Sequence, residues 1–489
     1  MADALEADSQ LKRWMLVVGP LVVALMLLLP TPDGLTREGW TVAAVALLMG
    51  LWWMTEAIPL AATALLPLIL FPALGIAPLD VTAVSYANPL IFLFLGGFLM
   101  ARAMEKQHLS QRVAYGLLQR GSLSLSGIIA SMMIATAFLS MWVSNTATTM
   151  MMLPIGQSII LAVNQRASEA EKPETAKFAT ALMLAIAYSA TIGGMGTLIG
   201  TPPNALFAGF MSSTYGIEIE FWRWMMIGVP AVIILLPIAW VLLTKVSFRF
   251  AVSRDLLKGS FIEKEARQLG PFSRAELFVA IILATAAFFW VFRGVISDLF
   301  PSLLLSDAGI AITAALLLFI LPASRSNRAR LLAWEDAKGI RWDVLLLFGG
   351  GLALAGAIND TGLAGWIGGA ISLLAFLPLF LFLLGTFVVI VLLGELASNT
   401  AVAAIFLPVT GASAAGLGLE PSLLVMSVAL AATIGFMLPV ATPPNAIVFG
   451  SGMLKVSDML KAGALLDVIA ILVVVILAMA LGPMLFGGL

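Results

Sequence analysis

The chain has 489 residues, of which 61% are hydrophobic and only 11% charged, with 26 Lys and Arg against 27 Asp and Glu and a formal net charge of −1. Soluble domains carry roughly 25% charged residues, and a nucleic-acid partner needs a basic block that this chain lacks, so both classes fall away. With no cysteine there is no disulfide, thiolate chemistry or Cys-ligated metal, and a mean hydropathy of +1.06 marks a polytopic membrane protein.

The N-terminal "MADALEADSQLKRW" is acidic before it is basic and no small-residue cleavage site follows, so the first apolar run, 14–30, reads as a retained span and not as a signal peptide. Further spans are expected at 40–57, 59–74 and 88–104, followed by a hairpin near 124–163 and spans at 178–212 and 222–244. Residues 245–274, with seven basic side chains, read as a surface-lying linker. The second half has spans at 275–293, 307–322 and 343–358, a hairpin near 371–412, and spans at 421–452 and 462–487. Each run is near the ~20 apolar residues a helix needs to cross. They are continuously apolar, whereas barrel strands would alternate. The expected fold is therefore an all-α polytopic membrane protein with eleven transmembrane helices and two re-entrant hairpins.

Charge orients this threading. With the N-terminus in the cytoplasm and both hairpins returning to their side of entry, 23 of the 26 basic residues lie inside, and only Arg37, Arg223 and Arg293 lie outside. The C-terminus then lies outside the cell membrane. Reading each hairpin as two complete crossings leaves this count unchanged, and it is the polar tips that favour re-entrance.

Those tips belong to a repeat. "SNTATTMMMLP" at 144–154 recurs as "SNTAVAAIFLP" at 398–408, and "FLGGFLMARA" at 94–103 lies over "FGGGLALAGA" at 348–357, all displaced by 254. "GTPPNA" at 200–205 matches "ATPPNA" at 441–446 with a displacement of 241, the difference being the charged loop "NQRASEAEKPETA" of the first half. In the charge-based threading the first Gly-Gly span runs inward and the second outward, an inverted repeat of the kind that places a transporter's substrate site at the midplane.

The motifs have a physical logic. Pro202-Pro203 and Pro443-Pro444 each remove two backbone donors, so both spans must break there. A break at membrane depth is tolerated only where it faces protein or a watery cavity. Broken carbonyl ends suit a cation, and exposed helix N-termini suit an anion. Ser-Asn-Thr adds neutral hydroxyl and amide groups at the same depth. A pair of such tips fits a solute with two anionic ends better than a compact tetrahedral ion, and cation coupling offsets the roughly 4.6 kcal/mol that a dianion meets on entering against 100 mV. Gly96-Gly97 and Gly350-Gly351 read as close-packing positions. Glu395, the one acid inside a hairpin, has Met141 as its counterpart, which leaves a structural hydrogen bond and a cation or proton role both open. His108, the only histidine, reads as an interfacial residue without chemistry.

"WWMTEAIPL" at 52–60, "FLFLGGFLMARAME" at 92–105, both Ser-Asn-Thr tips and "FMLPVATPPNAIVF" at 436–449 make the chain resemble the divalent anion:sodium symporter family, the dicarboxylate, citrate and sulfate transporters. The resemblance covers nearly the whole chain. It implies a homodimeric elevator with a scaffold (1–120 and 248–370) and a transport domain (121–247 and 371–489) that moves in the lipid bilayer. It further implies one sodium around Ser140, Ser144, Asn145 and Gly200, and a second around Gly394, Ala397, Ser398, Asn399 and Ala441. Substrate carboxylates would meet Asn145, Thr146, Thr201, Asn399, Thr400, Thr442 and Pro443. Two positions depart from the family pattern: Thr433 stands where Ser is usual, and Gly394 where sodium-coupled members often have Thr, which leaves only a backbone carbonyl at that point. Sodium symport of a C4 dicarboxylate is the leading expectation. The alternatives are a sodium-independent dicarboxylate antiporter and a sulfate or citrate carrier, ahead of a channel or a membrane enzyme, for which the sequence offers no nucleophile or metal cluster.

Overall fold

The computed structural model describes residues 2–120, 124–250, 267, 269–324, 329–374 and 376–486. Among these the chain is helical, the only strand-like feature being a bridge between Pro322 and Arg330. Most of the expected surface linker, 251–266 and 268, lies outside the described residues.

The helices fall where apolar runs begin and end at capping or breaking residues. Ala2–Leu28, Arg37–Thr55 and Pro89–Lys106 cover the first, second and fourth expected spans. Thr36 caps the second by accepting from the Gly39 N–H (2.9 Å). Arg274–Leu299, Asp307–Ile320, Trp342–Asp360 and Val456–Phe486 cover four more. The expected span at 59–74 is instead two short helices, Leu60–Thr63 and Leu66–Ala73, because Pro67 sits at the start of the second and cannot continue the first. Eight described helices are long and apolar enough to cross a membrane by themselves, among them one arm of each hairpin, Asn145–Arg166 and Leu379–Leu396. The remaining expected spans are met by shorter or broken helices.

Both hairpins exist as helix pairs. The first is Leu125–Ser140 followed by Asn145–Arg166; the second is Leu379–Leu396 followed by Asn399–Leu417, beginning later than the expected residue 371. Two further helices, Leu109–Arg120 and Leu363–Ile371, stand where the sequence reading expects connecting loops. Their first residues are again 254 apart. In the first of them Leu109, Ser110, Ala114 and Leu118 are buried while Arg112 and Arg120 are not, and this mixture hides an amphipathic helix within a charged stretch.

The core sits around Lys172–Gly194, whose most apolar stretch is 83% buried. It packs against both arms of the first hairpin, against Phe221–Val241 and against Pro443–Gly450. The first glycine of each pair close-packs as expected: a Cβ on Gly96 would lie 2.6 Å from the Ala311 backbone, and one on Gly350 would strike the Ala64 carbonyl, whereas one on Gly97 or Gly351 would find ordinary contact at 3.4 and 3.5 Å. Two of the three basic residues assigned outside are neutralised locally. Arg293 meets Glu220 (2.7 Å) and Asp307 (3.3 Å), and Arg223 meets the same Glu220 (3.2 Å).

The helix after each broken span backs onto the break through a glycine. Gly228 abuts the Met195 carbonyl and Gly463 abuts the Phe436 carbonyl, positions in which any Cβ would collide. Gly463→Ala is therefore expected to cost about 1–3 kcal/mol through overpacking. Thermal unfolding in detergent checks this against Gly356→Ala, whose Cβ would meet nothing within 4 Å.

Candidate functional site

Each half of the site is a hairpin tip set against a broken helix. In the first, Ser140 ends one arm, Met141–Ser144 turn the chain, and the Ser144 hydroxyl accepts from the Ala147 N–H (3.3 Å) to cap the second arm at Asn145. Opposite it, the span breaks after Gly194 and resumes at Pro202, where the missing proline N–H is no loss because a first-turn donor has no helical partner. In the second half the tip is Ala397-Ser398, the next arm starts at Asn399, and the span breaks between Ala432 and Pro443. There Thr442 caps the resumed helix by accepting from the Asn445 N–H (3.3 Å).

The last residue of each Thr-Pro-Pro-Asn holds its break in shape. Asn204 Nδ2 donates to the carbonyls of Gly194 (3.0 Å) and Thr197 (2.8 Å), and Asn445 Nδ2 donates to those of Gly435 (3.2 Å) and Leu438 (2.9 Å). In both copies the acceptors lie ten and seven residues upstream. Both asparagines are 0% exposed. Next to them, Trp224 Nε1 donates to Met195 O (2.9 Å), and Tyr188 Oη donates to Phe436 O (2.9 Å), the equivalent carbonyl. Buried carbonyls freed by the breaks are thus given donors, as a dry environment requires.

The two halves converge. One cavity of about 760 Å³ is lined by Ser144, Asn145 and Thr146 of the first tip and Gly200, Thr201 and Pro202 of the first break. Its other side is Ala397, Ser398, Asn399 and Thr400 of the second tip and Ala441, Thr442 and Pro443 of the second break. Four helix N-termini, at Asn145, Pro202, Asn399 and Pro443, therefore open on the same space, each presenting the positive end of its helix dipole, although the two proline pairs supply no N–H of their own. Of the sequence-expected residues only Ser140 and Gly394 lie behind the lining, and both touch it: Ser140 Oγ bonds the Asn145 carboxamide (2.6 Å), and a Cβ on Gly394 would sit 3.6 Å from Asn399 Oδ1.

Oxygen atoms cluster at both tips. With its amide turned nitrogen-inward, Asn145 donates to Ser140 Oγ (2.6 Å), Gly200 O (3.2 Å) and Ala190 O (3.2 Å). Turned the other way, its own oxygen completes a ring of oxygens, which is the donor set a small hard cation takes at an unwound helix end. At the second tip, Asn399 Oδ1 is buried without a hydrogen-bond donor, and both it and Ile434 O lie close to Gly394. The residues present fit a cation at each tip.

Charged side chains also reach the cavity wall, from segments far from the motifs: Lys12, Glu56 and Arg341. Arg341 is held by Asp343, with Nη2 to Oδ2 at 2.8 Å. Glu56 belongs to the quoted "WWMTEAIPL" stretch, whereas no local pattern marks Lys12 or Arg341, which reach the site through tertiary packing. Asp467 was also missed, although a lone acid deep in the long apolar helix Val456–Phe486 is a signal that sequence alone contains. His108 lies away from this cavity, on the turn before Leu109–Arg120.

Residues 10–487 match the sodium:sulfate symporter transmembrane region. The chain is 41% identical over 476 residues to a sodium-dependent dicarboxylate transporter SdcS of Staphylococcus saprophyticus, covering 96% of this chain and 92% of the relative. It is 40% identical to the protein of the same name from Staphylococcus aureus, covering 96% and 91%. In fold it is similar to the crystal structure of the YdaH transporter of Alcanivorax borkumensis, with a TM-score of 0.54 and 14% identity over 90% of this chain and 98% of that one. The chain belongs to the divalent anion:sodium symporter family of membrane transporters.

Proposed function

We propose that the protein carries a C4 dicarboxylate of the succinate, fumarate or malate class across the cell membrane in symport with sodium. The observation that carries this reading is the convergence of both Ser-Asn-Thr tips and four helix N-termini on one cavity. The relatives' names supply sodium and a dicarboxylate; the cavity supplies a reason for both. Asn145, Thr146 and Thr201 face one carboxylate, and Asn399, Thr400, Thr442 and Pro443 the other, with the helix dipoles behind them. Sodium at the two oxygen clusters neutralises the dianion from each end: Ser140, Ser144, Asn145 and Gly200 at one, and Gly394, Ala397, Ser398, Asn399 and Ala441 at the other.

The composition of the cavity wall supports an elevator. Every Ser-Asn-Thr and Thr-Pro-Pro-Asn residue in it belongs to 121–247 or 371–489, the proposed transport domain, while Lys12, Met54, Thr55, Glu56, Phe98, Arg341 and Val344 belong to 1–120 or 248–370, the proposed scaffold. Cargo held wholly by one body can be moved past the other. In the charge-derived orientation, with its inverted repeat, re-entrant hairpins and cytoplasmic N-terminus, Lys12, the end of Arg37–Thr55 and Arg341 all lie on the cytoplasmic side, so the cavity opens inward. The protein works as a homodimer, the scaffold forming its fixed interface.

In proteoliposomes an inward sodium gradient is expected to drive succinate uptake, with trans-stimulation by unlabelled succinate as for a carrier and not a channel. Uptake indifferent to sodium would leave an antiporter. Asn145→Ala and Asn399→Ala are each expected to lower the initial rate by about 100-fold, since each removes a cation oxygen and a substrate donor together. Wild-type rates from either variant, at equal amounts of folded protein, would remove the shared site.

A further inference from the structure

We propose that Glu220 and Phe221 of the transport domain and Trp290, Arg293 and Asp307 of the scaffold form a reversible latch that holds the carrier with its cavity open to the cytoplasm. This rests on the elevator reading of the cavity wall.

Arg223 and Arg293 lie outside in the charge-derived orientation, so this junction is on the external side while the cavity opens inward. Three contacts cross it. Arg293 Nη2 donates to Glu220 Oε1 (2.7 Å), and the Phe221 N–H donates to Asp307 Oδ2 (3.0 Å). The Phe221 ring lies against that of Trp290, with centroids 4.6 Å apart and planes inclined by 15°. Arg293 is 9% exposed and Phe221 0%, so this is a buried junction and not a surface ion pair. The Phe221 N–H opens the helix Phe221–Val241, where no carbonyl of that helix can reach it, and its acceptor comes from the other body.

Pairing inside each body makes the junction separable. Glu220 also meets Arg223 (3.2 Å) and accepts from Trp222 Nε1 (2.8 Å), and Arg293 also meets Asp307 (3.3 Å). Parting a buried ion pair ordinarily strands a charge, which is strongly destabilising. Here it leaves an acid with a base on each side. Asp307 Oδ1 is buried without a hydrogen-bond donor while Arg293 reaches to Glu220, so Arg293 has an acceptor ready when Glu220 leaves. A displacement of one helical turn, about 5.4 Å, parts all three contacts.

The latch also touches the site. Phe221 stacks against Trp142 (centroids 6.2 Å, planes 22° apart), which lies in the turn Met141–Ser144 of the first tip. Two residues on, Ser144 lines the cavity. One ring thus connects the tip that receives cargo to the contact that holds the two bodies together.

The chain has no cysteine, so a single Val440→Cys, on the transport-domain side of the cavity at a position 70% exposed, reports which face of the membrane the cavity meets. In right-side-out vesicles, labelling by a membrane-impermeant maleimide from the outside measures the outward-open fraction. Glu220→Gln and Phe221→Leu, each on that background, are expected to raise the outside labelling rate about tenfold. Adding Arg293→Gln to Glu220→Gln is expected to change that rate by no more than about twofold, because the two side chains share one contact. A purely structural contact would lower the melting temperature and leave the labelling rate where it was. Labelling within about twofold of the parent in folded variants overturns the proposal, as does failure of the variants to fold, since separable halves must stand without the contact. Labelling from the inside alone in every variant, although the wild-type chain takes up succinate, would instead overturn the elevator reading on which this rests.

Discussion

Two helices are broken in the middle of an apolar body, and every backbone group freed by those breaks needs a partner that water cannot supply. An unpaired amide or carbonyl in such surroundings costs several kcal/mol, more than most packing contacts return. The double prolines of Thr-Pro-Pro-Asn create the breaks, and the same motif ends in the asparagine that repairs them. Asn204 and Asn445 each span two carbonyls with one amide group. Around them an aromatic donor takes the next carbonyl and a glycine of the following helix lets the backbone come close. Only when this inner side is satisfied can the outer side offer helix N-termini to a solute.

Neutral donors make binding conditional, which a coupled carrier needs. A buried arginine fork at the tip would hold a dicarboxylate strongly whether or not sodium were present. In the proposed reading dipoles and amides hold it weakly, so that most of the affinity has to arrive with the ions, and coupling is the difference between the two affinities. The cations that do reach the cavity stand on its wall, and Arg341 is already engaged by Asp343. With Glu56 on the same wall, these charges do not form an anion clamp.

Much of this was legible in the sequence, because its strongest signals are of kinds that packing does not override. Apolar run length located the helices, proline pairs located the breaks, and the 254-residue displacement linked two tips that the structure places on one cavity. Less legible were elements whose pattern is shared with something commoner. Leu109–Arg120 resembles a charged loop, and the prolines that split 59–74 lie in a run that reads as one span. The roles of Asn204 and Asn445 were hidden for another reason: within the motif they look like further ligands, and only coordinates reveal that their side chains turn back onto the break. Lys12 and Arg341 belong to the site solely through tertiary proximity.

The hydrogen bonds that hold the two breaks all stay within the proposed transport domain. The bonds that Asn204, Trp224, Tyr188, Asn445, Glu395 and Asp467 make to the breaks lie within residues 121–247 and 371–489. Contacts from the motif segments to the proposed scaffold are of a different kind. A Cβ on Gly97 would lie 3.4 Å from Ile199, one on Gly351 3.5 Å from Leu206, and one on Gly50 3.7 Å from Ile405. These three are glycine against aliphatic side chain, whereas Leu363–Ile371 packs backbone to backbone on Asn399–Leu417, where a Cβ on Gly368 would lie 2.6 Å from Ala412 O. Polar ties that cross include Arg293 to Glu220 and the Phe221 N–H to Asp307, both where Phe221–Val241 begins, away from the cavity. The freed carbonyls of the breaks thus take their donors from the same proposed domain, while Asn204 Oδ1, Asn399 Oδ1 and Asn445 Oδ1 stay buried without a partner, so the proposed displacement would carry the bonds that hold the breaks along unbroken.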